Sequence, residues 1–386
     1  MALDWQQYSG KWNLQTQGQA VGDYAWPGTV IPNTLWTSGN NNNGQLGLGD
    51  TVDRSSPTQV GYREGWLQAA GGYRQSYAVK SDGTAWSWGD GNFGQLGQGS
   101  TTDYSSPVQI GALTNWLNLA GLYYGSVATK TDGTLWSWGY NAFGQLGLNS
   151  AVYATSSPVQ VGALTTWSKV RGLQNVVGAL KTDGTIWAWG QNNYGQIGDG
   201  TTTQRSSPVQ IGALTTWTDI AVGYFHMLAV KTGGTLWAWG ANSQGELAQG
   251  NVTTKSSPVQ VGALTTWSKV FALNGISFAV KTDGTLWGWG YRGEGQIGDG
   301  TSGYPAYSSP VQVGALTTWT GMSLFGTRQV VVRKADGTAW SWGYGGQGRL
   351  GQGSTTSYSS PVQVGTGTYW TAVGSGMGQS FFMGAV

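Results

Sequence analysis

A closed ring of seven four-stranded antiparallel blades, an all-β propeller, is the fold this sequence predicts, and three observations predict it. A short aromatic strand running into glycine occurs seven times, from Leu35-Trp36-Thr37-Ser38-Gly39 and Ala85-Trp86-Ser87-Trp88-Gly89 to Ala339-Trp340-Ser341-Trp342-Gly343. The leading tryptophans are spaced 50, 50, 51, 50, 50 and 53 residues apart, a period at which one unit cannot bury its apolar face alone. Each unit also carries four short strand-like runs with no helical periodicity between them, which is the pattern of a propeller blade.

Residues 163–212 typify the unit. Trp167-Ser168-Lys169-Val170 reads as the first strand and Val177-Gly178-Ala179-Leu180-Lys181 as the second. Thr182-Asp183-Gly184-Thr185 sets Asp-Gly between two strand-like runs, which predicts a type I′ hairpin with positive φ at both central residues. Ile186-Trp187-Ala188-Trp189 is the third strand, its tryptophans on one face against the adjacent blade. Ser207-Pro208-Val209-Gln210-Ile211 is the fourth, and a proline opening it fits an outer edge. Each buried tryptophan removes ~200 Å² from water, on the order of 4–5 kcal/mol before entropy is counted.

The ring closes through its ends. The first aromatic strand lacks upstream partners, and the chain finishes with Tyr369-Trp370-Thr371-Ala372-Val373 and Gln379-Ser380-Phe381-Phe382-Met383, which match the missing first and second strands. Blade 1 is therefore expected to join two inner strands from the carboxyl end to two outer ones from residues 35–60. Residues 1–34 form a separate aromatic extension ahead of the propeller of 35–386. Trp5, Trp12 and Trp26 mark it as a candidate docking segment.

Composition narrows function. Charged residues make up 9% of the chain and the net charge is +2, with no basic run, so no footprint of a nucleic-acid binder is present. The absence of cysteine removes thiolate metal sites and thiol nucleophiles. The amino terminus reads as no signal peptide, and no apolar stretch is long enough for a transmembrane helix. A virus particle or extracellular surface, reached without a signal, is the expected location.

Trp136 to Gly147 reads Trp-x-Trp-Gly-x-Asn-x-x-Gly-Gln-Leu-Gly, and Trp187 to Gly198 matches it with Ile197 for leucine. This motif resembles the regulator of chromosome condensation repeat, here in a bacterial or bacteriophage form. The resemblance covers residues 35–386 and implies a seven-bladed propeller. Functions on that fold range over nucleotide exchange, enzyme inhibition and scaffolding. Family repeats commonly carry a histidine in the second strand, and only His226 occupies that place. Repeat five reads Gly245-Glu246-Leu247-Ala248, losing a glycine.

No enzyme is visible. Asp82, Asp132, Asp183, Asp283 and Asp336 stand in turn motifs rather than acid pairs. Lys80, Lys130, Lys181, Lys231, Lys281 and Lys334 beside them read as solvated edge charges. Asp50, Asp199 and Asp299 lack the run of oxygen ligands that calcium needs, so neither metal nor cofactor is expected. Twenty of the 23 tryptophans fall at repeat-equivalent positions and read as core.

Comparing the repeats with one another separates two faces of the disc. The connections Val-Gly-Ala-Leu-Thr-Thr-Trp and Thr-Asp-Gly-Thr hardly change, whereas those between strands one and two and between strands three and four vary. The varied set carries Tyr73, Arg74, Tyr124, Tyr224, Phe225, His226 and Arg328 in the first connection. Tyr104, Tyr153, Arg205, Tyr304 and Tyr307 belong to the second. Tyrosine and arginine on a rigid scaffold match binding hot spots. A non-catalytic structural or interaction propeller within a larger assembly is the leading expectation, with a protein partner on this face. A glycan-binding propeller and a soluble inhibitor or regulator are the alternatives, and membrane insertion is not expected.

Overall fold

The computed structural model describes residues 33–62, 65–323 and 328–384. Within them lie seven four-stranded antiparallel sheets, numbered below as blades 1 to 7 around the ring. Blade 4 runs outward from the axis as Trp167–Leu173, Val176–Lys181, Ile186–Gly190 and Arg205–Gln210. Blade 1 takes its inner strands, Trp370–Ser375 and Gln379–Gly384, from the carboxyl end. Its outer strands are Thr34–Gly39 and Arg54–Gln59. Leu35 pairs with Met383 and Trp36 with Phe382, so the expected seam is present.

Tryptophan wedges fill the space between blades. Trp189 is fully buried among Leu122, Val127 and Leu135 of blade 3. Its indole N–H donates to Gln145 O of that blade at 2.9 Å. Trp138 makes the matching bond to Gln95 O and Trp342 to Gln296 O. Trp167 meets Trp187 and Trp189 edge-on, with centroids 6.0 and 6.1 Å apart, the favoured aromatic geometry. Gly147 (φ 70°) has to be glycine, since a Cβ there would come within 2.8 Å of the Trp189 indole nitrogen.

Three local expectations are corrected. In the Thr-Asp-Gly-Thr hairpin only Gly184 has a positive φ (77°), and Gly184 N donates to Lys181 O at 3.0 Å. The turn is therefore a three-residue loop ending in a left-handed glycine, not a type I′ turn. Asp183 holds it closed by accepting from Thr185 N (2.9 Å) and Thr185 Oγ1 (2.7 Å), and Thr185 Oγ1 in turn accepts from Trp187 Nε1 at 2.9 Å.

The lysines beside the turns are not all solvated edge charges. Lys130 and Lys181 are buried, each with its ammonium 3.6 Å from the ring centroid of Trp136 or Trp187. Burial lowers both pKa values, and the ring quadrupoles offset part of that desolvation. Pro208 is the fourth residue of its outer strand rather than the first. It lies where the pairing register shifts between Ala188 and Gly190, so its missing N–H interrupts no regular ladder.

Candidate interaction face

The two varied connections of each blade come together on one side of the disc. Tyr140 N donates to Tyr124 O at 2.8 Å and Asn141 N to Tyr153 O at 2.7 Å, which ties the first-to-second connection of blade 3 to its third-to-fourth connection. The face is held rigid by bonds between blades. Tyr123 N donates to Gln174 O at 3.0 Å, and Met377 N to Gly72 O at 3.0 Å.

Blades 2 and 3 carry a continuous aromatic patch on this face. Tyr73 and Tyr123 stack with centroids 4.5 Å apart, and Tyr124 stands edge-on to Tyr123 at 4.6 Å. Phe93 packs on Tyr124 at 4.7 Å, and Tyr140 bridges Phe93 (5.3 Å) to Tyr153 (5.0 Å). The Arg74 guanidinium lies 4.7 Å above the Tyr73 ring. Arg74 and Tyr153 are exposed, while Tyr73, Tyr123 and Tyr124 are half-buried. Burial and the neighbouring phenols push Tyr123 up to about 12, so its hydroxyl stays a neutral donor.

A smaller cluster lies on blades 6 and 7. Exposed Tyr304 meets Tyr291 edge-on at 5.8 Å. Arg328 pairs with Glu294 at 3.2 Å and lies 5.5 Å above the Tyr344 ring. Phe225 of blade 5 packs against Tyr194 of blade 4 at 5.0 Å.

Other candidate residues are committed inside the protein. His226 is fully buried, with Nε2 2.9 Å from Ser277 Oγ in the next blade, and burial alone holds its pKa down to about 3. It is a neutral bridge between blades, not a surface contact. Tyr224 is also buried, and its hydroxyl reaches Met377 Sδ at 3.9 Å. Blades 5 and 1 are not neighbours, so that contact crosses the axis and covers this end of the central channel.

Arg205 pairs with Asp199 at 2.5 Å, and the Tyr307 hydroxyl donates to Asp299 at 2.8 Å. Half-buried Tyr104 packs on the cluster around Trp88. Arg54 pairs with Asp50 at 2.5 Å. The loop aspartates thus brace their own connections. Trp5, Trp12 and Trp26 lie outside the described residues.

Sequence comparison of the connections alone missed Phe93, Tyr140, Phe143 and Tyr194. They occupy the variable positions inside the Trp-Gly-x-Asn-x-x-Gly-Gln motif, Tyr140 just after its first glycine and the others just before its second. Treating the motif's own gaps as loop would have found them.

The family model of the regulator of chromosome condensation (RCC1) repeat matches residues 33–79, 82–120, 132–172, 183–230, 233–280 and 336–383. The chain belongs to the RCC1 repeat family. A second RCC1-repeat model matches residues 217–246. A comparison with curated protein sequences yields no match.

Among solved structures, this RCC1-type chain is similar to Prp20p from Saccharomyces cerevisiae, a protein described with its binding to Gsp1p and histones. The TM-score is 0.80 at 19% identity, covering 92% of each chain. It is similar to human WBSCR16 with a TM-score of 0.82 at 18% identity, covering 91% of this chain and 98% of that one. Yeast RCC1 (Prp20) bound to Kap60 gives 0.81 at 19% identity, covering 92% and 89%. At such identities the likeness speaks to fold alone.

Proposed function

We propose that this RCC1-type propeller is a non-catalytic interaction module whose protein partner docks on the varied face over blades 2 and 3. The carrying observation is the patch of Tyr73, Tyr123, Tyr124, Phe93 and Tyr140 with Arg74 above it. Aromatic rings and arginine on a braced surface lose little entropy on binding, which is the physics of a hot spot. Protein binding by RCC1-type relatives supports the same reading. Low charge, absent cysteine and near-copy repeats support a place in a larger assembly such as a virus particle or a cell surface.

Affinity capture from the native source tests the docking face. Tyr124→Ala and Tyr140→Ala should weaken capture of the partner by tenfold or more, about 1.4 kcal/mol or above, while Thr165→Ala on the opposite face leaves it unchanged. The reverse pattern would sink the proposal. Exposed Tyr153 beside Tyr140 also suits stacking on a sugar ring, and a glycan array reports on that second reading. Removing residues 1–34 and measuring incorporation into the parent assembly tests the docking segment separately.

A further inference from the structure

The axis of the disc is hollow. A cavity of about 570 Å³ is lined by the innermost strands of all seven blades, among them Gln68, Lys169, Arg171, Asp219, Lys269 and Met322. That volume falls in the range of about 300–1,000 Å³ typical of small-ligand sites. Its far end is covered where Tyr224 meets Met377 across the axis.

The lining is not neutral. Among the described residues it holds three cations, Lys169, Arg171 and Lys269, against one carboxylate, Asp219. Asp219 is already engaged twice. It pairs with Lys169 at 2.5 Å and accepts from Val270 N of the next blade at 3.0 Å. Lys269 donates to Thr320 O at 2.6 Å.

Arg171 stands apart. Four residues after the first-strand tryptophan, the other blades place Ala70, Ala120, Ala221, Phe271, Ser323 and Gly374, and most of these residue types are small enough to leave room around a long side chain. Among the described residues, the guanidinium donates a hydrogen bond only to the carbonyl of Val170 on its own strand, at 3.0 Å. A guanidinium carries five N–H donors in a planar fork. The side chain is exposed to the channel, and the one carboxylate of the lining, Asp219, is already engaged by Lys169 and by Val270 N. An arginine fork facing a channel whose lining carries more cations than carboxylates draws an anion to it.

We propose that the central channel is a binding site for a small oxyanion, held by the Arg171 fork with Lys169 and Lys269 supplying field. Phosphate and dicarboxylate share the chemistry, since both offer paired oxygens to a bidentate arginine. The site is separate from the aromatic face, and neither proposal depends on the other.

The test is titration of the full chain with inorganic phosphate and, separately, malonate, at constant ionic strength so that general screening is matched. Saturable one-site binding of either anion is expected, and the tighter of the two identifies the ligand class. Arg171→Ala should weaken it by at least tenfold, and Arg171→Lys, which keeps charge without the fork, should weaken it by less. Tyr124→Ala should bind the anion as wild type does. Circular dichroism of the Arg171 variants verifies folding, and Lys269→Ala, expected to weaken binding severalfold, gives an independent readout. Absence of saturable binding by both anions, or equal binding by folded Arg171→Ala, would overturn the proposal.

Discussion

Single residues that break the repeat are where stability can be tuned. His226 is neutral when folded, with a pKa near 3 against 6.5 when exposed. Between those values the unfolded chain binds the extra proton, so acid lowers stability. Each pH unit below about 6.5 should cost up to about 1.4 kcal/mol until pH nears 3. Denaturant titrations of wild type and His226→Gln between pH 7 and 4 should show that this histidine-linked slope disappears in the variant.

Glu246 stands where blades 3 and 4 use Gln145 and Gln196, and burial raises its pKa. Its contribution is present below its unfolded pKa and is lost as pH rises. Glu246→Gln should therefore stabilise the protein at pH 7 by about 1 kcal/mol, and the gain should fade toward pH 4. Ala248 adopts φ 53° at a position held elsewhere by glycine. Ala248→Gly should raise stability by about 1 kcal/mol in the same titration, because a left-handed alanine is strained.

At the scale of elements, the hairpin between second and third strands was legible as a turn but not as its type. The residue pair Asp-Gly is common to two turn classes, and the choice fell to the Asp183, Thr185 and Trp187 relay that only the folded strands assemble. Blade 5 tests how much the relay matters, since Gly233 replaces the aspartate and the turn still closes, with Gly234 N donating to Lys231 O at 2.9 Å. Asp132→Gly should accordingly keep the fold and lower Tm by only about 1–2 °C in a thermal melt. The candidate face was legible in the connections that vary, but two of the five rings of its aromatic patch, Phe93 and Tyr140, came from motif positions that look like core. Tyr140 follows a buried Trp-Gly pair in sequence and is the half-buried last residue of its strand, just after the positive-φ Gly139.

Closure governs the whole molecule. The blade 1 seam joins Thr34 to Gly384, 350 residues apart, so closing the ring is a late and slow contact to make. Without it, blades 2 and 7 present unmatched faces and blade 1 presents an open strand edge. A chain ending at Tyr369 should lose cooperative unfolding by calorimetry and expose apolar surface to a hydrophobic dye. A sharp single transition close to that of the full chain would contradict this account.

The sequence alone determined the number of blades, the order of their strands and the seam, because period and strand patterning are local properties repeated along the chain. It also set tryptophan as the wedge between blades, since twenty copies at equivalent positions leave no other use. Tertiary structure decided which candidates reach the surface. It buried His226 and Tyr224, tied Arg205 and Tyr307 to loop aspartates, sandwiched lysines between indoles and turned Arg171 into the central channel. Whether a side chain faces water, a neighbouring blade or the axis depends on where the ring places its strand, and one chain's periodicity does not carry that information.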